Sequence, residues 1–133
     1  MNSPQIPVSW GELLDKITIL QIKLENLTSK SALKNVEREL KQLQSIFTQY
    51  RPEKIEAKQL EMDLKQINQQ LWDIEDKIRD KERSGSFDDE FIQLARDVYV
   101  TNDERSRIKR TINDMFGSEL VEICSWLFGT ERA

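Results

Sequence analysis

Apolar side chains recur at alternating spacings of four and three along most of this chain, a period that suits α-helices packed on apolar stripes. Leu13, Ile17, Leu20, Leu24 and Leu27 form the first stripe, and Leu33, Val36, Leu40, Leu43, Phe47 and Tyr50 the second. Leu60, Leu64, Ile67, Leu71, Ile74 and Ile78 form the third. Leu14, Ile19 and Ile22 widen the first stripe, so the first helix is expected to be the central one. Punctuation is scarce, with four Gly and three Pro in 133 residues. Such a chain reads as long helices joined by short breaks, in one domain over 1–133.

The boundaries follow from local chemistry. Ser9 and Glu12 make a capping box, which starts a helix over 10–28 after a tail of 1–9. A second helix is predicted over 32–50. Pro52 stops it and is placed to open a third over 52–83. At about 1.5 Å per residue that third helix spans roughly 45 Å, long enough to project as a hairpin or to dimerise. Ser84-Gly85-Ser86 is the clearest break. A fourth helical stretch over 88–116 buries Phe87, Phe91, Leu94, Ala95 and Val98. A capping box of Thr101 and Glu104 bends it before Ile108, Ile112 and Met115 continue the apolar face, and Gly117 ends it. The segment 118–133 is a short helix or a docked strand. The expected fold is all-α, an elongated antiparallel helical hairpin or bundle of four to five helices with coiled-coil-like seams.

Composition removes several chemistries. Histidine is absent and Cys124 is the single cysteine. That excludes His-activated nucleophiles, His metal ligands and an intrachain disulfide. The formal charge of −4 argues against a surface that coats nucleic acid or an anionic membrane. No run approaches the roughly 18 apolar residues of a membrane span, so a soluble, cytoplasmic protein is expected. Cys124 sits in an apolar run as a core residue, and Trp10 and Trp126 are placed to close the ends of the bundle.

One polar constellation stands out. Lys65, Asn68, Trp72, Glu75, Asp76 and Arg79 share a stripe of the third helix, and Arg96, Tyr99, Asn102 and Asp103 share one of the fourth, with Arg105 following. Two readings stand. One is a pocket with an aromatic wall and Arg79 and Arg96 as anion binders. The other, preferred, is a salt-bridge network that locks two helices in register, with Glu75–Arg79 an ordinary i,i+4 pair. Arg105, Arg107, Lys109 and Arg110 form a basic cluster that reads as a solvated face, and nucleic-acid binding is not expected, because acids interleave with it. Glu12 and Asp15 have a spacing that, with Glu53/Glu56 or Glu119/Glu122, suits Mg²⁺. Among 24 acidic residues about four such pairs arise by chance, so Asp15 and Lys16 read more simply as helix-surface charges. Asn102 and Asn113 are expected to hydrogen-bond the bend.

The blocks GELLDKITILQIKLENL, LWDIEDKIRDKE and FIQLARDVYVTNDERSRIKRTIN resemble, in that order, a family of small uncharacterised all-helical proteins of bacteria and phages. They cover most of the chain outside about 28–58. They carry Asp15, Lys16, Trp72, Glu75, Asp76, Arg79, Glu82, Arg96, Tyr99, Asn102, Asp103, Arg105, Lys109 and Asn113, which overlap the polar stripe. The resemblance implies no activity. The functional expectation is a non-enzymatic binding or adaptor module, self-associating with a dimer favoured, without a cofactor, and open to a protein partner. The alternative is a small helical enzyme or binding protein for an anionic metabolite such as a nucleotide or nucleotide-sugar, with Mg²⁺ as its possible cofactor.

Overall fold

Ser9 opens the first helix as its capping residue, with its hydroxyl accepting from the Glu12 N–H at 3.1 Å. In the computed structural model, which describes residues 3–53 and 55–120, the chain folds into α1 (Trp10–Asn26), α2 (Lys30–Tyr50), α3 (Lys58–Ser84) and α4 (Asp89–Phe116). The fold is all-α, and among the described residues there is no strand. Ser29 caps α2 through the Ala32 N–H, and the Asp88 carboxylate caps α4 through the Phe91 N–H at 3.0 Å. Gly85 and Gly117 end α3 and α4 with φ of +65°, where a Cβ would be strained.

α1 packs against each of the other three helices, and α3 packs most extensively on α4. This central place explains why α1 has almost no solvated face: Gly11, Leu13, Leu14, Asp15, Ile17, Thr18, Leu20 and Ile22 are all buried. Ring contacts tie its N-terminal end to α2 and α4. Trp10 stacks on Phe116 with centroids 5.2 Å apart, and Phe47 meets both rings edge-on at 6.1 and 6.2 Å. Trp10 therefore closes one end of the bundle; Trp126 and Cys124 lie outside the described residues.

Two expectations are corrected. The third helix begins at Lys58 rather than Pro52. Pro52 forces the preceding Arg51 into extended backbone, and the chain then turns inward, burying Ala57 and packing Ile55 on the core. The Arg51 guanidinium holds this connector, donating to the Ile55 carbonyl at 2.7 Å while lying 5.2 Å over the Phe47 ring. The bend at Thr101 is also absent, and α4 runs unbroken for 28 residues. Its inner stripe of Leu94, Val98, Thr101, Arg105, Ile108 and Ile112 keeps the four-three spacing across the position of the expected bend. Continuous packing outweighs the local capping box.

α3 and α4 form an antiparallel hairpin. Near the turn Lys81 pairs with Asp88 at 2.9 Å and Glu90 at 3.0 Å, while further down the same hairpin Asn68 and Arg105 converge on one residue of α1. The hydrogen bond from Lys81 and the Phe91 N–H hold the Asp88 carboxyl below its ordinary pKa. That contribution is present above the unfolded carboxyl's pKa and is lost as pH falls through the folded one. At about 1.5 Å per residue the 27-residue α3 is roughly 40 Å long, against about 25 Å for the 17-residue α1. The hairpin outreaches its central helix.

Candidate functional site

The polar residues converge on α1, not between α3 and α4 alone. Asp15 is 1% exposed, and its carboxylate accepts from Asn68 Nδ2 at 2.9 Å and from Arg105 Nε at 2.9 Å. Arg105 Nη2 completes a two-pronged ion pair with the second carboxylate oxygen. Asn68 also donates to the Thr18 hydroxyl at 3.0 Å, and that hydroxyl donates to the Asp15 carbonyl at 2.8 Å. One turn earlier on α1, Glu12 accepts from the buried Lys109 ammonium at 2.8 Å, which lies 4.0 Å from Asp15. Two carboxylates on α1 thus face two cations on α4, with Asn68 of α3 joining them.

The ends of α1 and α4 are joined by backbone as well. The Gly11 N–H donates to Asn113 Oδ1 at 2.7 Å, and the Trp10 N–H donates to the Ser118 hydroxyl at 2.9 Å. A Cβ on Gly11 would stand 2.5 Å from the Lys109 carbonyl oxygen. Glycine here permits the close approach of the two helices, which in turn brings Lys109 and Arg105 within reach of Glu12 and Asp15.

Several sequence expectations change. Asp15 is not a surface charge, because it lies on the side of α1 that packs against α3 and α4. Lys16, its neighbour, is exposed and pairs with Glu39 at 3.0 Å. Lys16→Ala is accordingly expected to shift stability by less than about 1 kcal/mol, measured by urea denaturation. The basic cluster is split by helical phase: Arg107 and Arg110 are exposed, whereas Lys109 is buried and Arg105 lies on the inner stripe. Asn113 and Asn102 stabilise no bend. Asn113 holds Gly11, and Asn102 Oδ1 accepts from Arg105 Nη1 at 3.3 Å.

Of the polar stripe, Trp72, Glu75, Asn102 and Arg105 come together around one open cleft of about 220 Å³, with Asn68, Leu71, Ile19 and Ile22. Asp76, Arg79, Arg96, Tyr99 and Asp103 do not line it. Arg79 is exposed and sits 3.5 Å from Glu75 as the expected i,i+4 pair. Arg96 and Tyr99 face outward on α4, because their phase is opposite that of Leu94 and Val98. Neither Arg79 nor Arg96 therefore supplies a charge to this cleft. Glu12 and Asp15 each face cations of α4, and among the described residues no three His, Cys, Asp or Glu side chains are grouped to hold a metal ion. Glu122, one of the acids considered with them, lies outside the described residues. No described helix is long and apolar enough to cross a membrane.

The residues missed in the sequence are Glu12 as the partner of Lys109, Thr18 and Gly11; the sequence places Asn68 on the Trp72 stripe but not against Asp15. Asn68 carried a signal, falling between Leu64 and Leu71 at four-three spacing, where an amide on an apolar stripe must find partners.

The profile of a family of unknown function, DUF6165, matches residues 5–126. The chain belongs to this family. The match spans all four helices and the whole Asp15 network. Neither the curated proteins nor the solved structures give a match.

Proposed function

We propose that the chain is a non-enzymatic helical binding module that pairs with a second copy of itself through the α3–α4 hairpin. The observation that carries this reading is the reach of the hairpin beyond α1, together with the apolar groups it exposes. Ile92 and Val100 lie on the outward side of α4, 54% and 63% exposed, and Phe87 at the turn is 59% exposed. Large apolar groups exposed on a two-helix arm are most simply covered by another helical surface. The polar network supports the same reading from the other side. Its buried charges are matched within the protein, as in a lock that fixes helix register. A cytoplasmic setting, and the bacterial and phage setting of the family, belong to this proposal; the latter rests on the three sequence blocks.

The test is the mass in solution across concentration, by sedimentation equilibrium. The wild type is expected to be dimeric at tens of micromolar. Ile92→Glu with Val100→Glu is expected to give a monomer of unchanged helicity. A wild type that stays monomeric, or a dimer indifferent to both substitutions, overturns the proposal. The alternative of an anionic metabolite is not preferred, because neither Arg79 nor Arg96 lines the cleft.

A further inference from the structure

The cleft between α1, α3 and α4 carries hydrogen-bonding capacity that the lock does not use. Asn68 is 5% exposed, and its side chain donates through Nδ2 to both Asp15 and Thr18. Its Oδ1 has no protein partner, yet no buried side-chain polar atom of the described residues is left without a partner, so this oxygen reaches the cleft. Asn102 uses Oδ1 for Arg105, which leaves its NH₂ group for the cleft. The Trp72 indole makes no hydrogen bond among the described residues and forms one wall, and the Glu75 carboxylate stands at the rim, loosely paired with Arg79. Ile19, Ile22 and Leu71 supply an apolar lining.

We infer that this cleft binds a single neutral sugar ring. The cleft offers both acceptors and donors, the Asn68 Oδ1 and the Asn102 NH₂ group among them, which suits hydroxyl groups, since each hydroxyl both donates and accepts. The indole and the aliphatic lining suit the C–H face of a pyranose. The Arg105 charge is balanced by Asp15, so the cleft has no excess positive charge to select phosphate or carboxylate. Its volume of about 220 Å³ is below the roughly 300 Å³ at which drug-sized ligands begin to fit. That matches one ring. The polar groups are also preorganised, because Asp15 fixes both Asn68 and Arg105 from beneath. The site is independent of the self-association proposed above, which rests on Ile92 and Val100.

The test is titration of the ¹⁵N-labelled full chain with the methyl glycosides of glucose, galactose, mannose and N-acetylglucosamine, followed by NMR. The indole N–H of Trp72 and the side-chain amides of Asn68 and Asn102 are the reporters. At least one glycoside is expected to shift all three saturably, with a Kd on the order of a millimolar for so small and open a site. Trp72→Ala and Asn102→Ala are each expected to weaken binding about tenfold or more while the helical circular dichroism is retained. Should Trp72→Ala fail to fold, Trp72→Phe is expected to keep the ring contact and weaken binding less. No saturable shift with any of the four sugars overturns the inference. So does a stronger response of the same resonances to inorganic phosphate or adenosine, or binding that survives loss of Trp72 and Asn102.

Discussion

Asp15→Ala is expected to destabilise the fold by about 3–5 kcal/mol, the range for removing one partner from a buried ion pair. The reason is what remains. Arg105 and Lys109 would face a site with one carboxylate fewer, and Asn68 would lose the acceptor of one of its two hydrogen bonds. For a chain of this length the change corresponds to a fall in melting temperature of roughly 10–15 °C. Thermal and urea denaturation followed by circular dichroism measure it. The companion experiment is a double-mutant cycle with Arg105→Gln. Asp15→Asn and Arg105→Gln are each expected to destabilise more than half as much as the two together, because the double variant leaves neither charge buried alone. Strict additivity of the two would show that the pair is not coupled and would remove the lock from this account.

Gly11→Ala is expected to be destabilising by about 2–4 kcal/mol, against the roughly 1 kcal/mol by which alanine usually favours a helix interior over glycine. The added Cβ would meet the Lys109 carbonyl oxygen at 2.5 Å and Asn113 Oδ1 at 2.9 Å. Both contacts are too short, and the first is with backbone, so α1 and α4 must separate. Separation strains the packing and lengthens the Gly11–Asn113 hydrogen bond, losses of about 1–3 and 1 kcal/mol respectively. It also draws Lys109 from Glu12. Equilibrium urea denaturation reports the stability, and the amide exchange rate of Gly11 reports whether the hydrogen bond survives. A variant as stable as the wild type would mean that the helices do not approach this closely in solution.

These two positions illustrate where sequence reasoning succeeds and where it stops. The four-three spacing of Leu13 through Leu27, and of Leu60 through Ile78, is a local property, and the helices appear where it runs. Capping is also local, and Ser9 and Gly85 bound α1 and α3 in the way their chemistry requires. Thr101 and Glu104 show the limit of local chemistry, for their capping pattern is overridden by the continuous inner face of α4. The cleft was half legible. Trp72, Glu75, Asn102 and Arg105 were singled out by residue type and helical phase. Arg96 and Tyr99 were grouped with them on phase alone, although the phase that matters is the one relative to α1.

Helix type, number and approximate limits could be read from one dimension because backbone hydrogen bonds and the period of apolar side chains act over a few residues. The burial of Asp15 beside an exposed Lys16 could not. It depends on α1 being enclosed by three other helices, and on a glycine that lets α4 approach closely enough to bring two cations to two carboxylates. Partners 90 and 97 residues apart in the chain meet there. Only the packing of whole helices determines which charges leave water together, and therefore which polar groups are left facing the cleft.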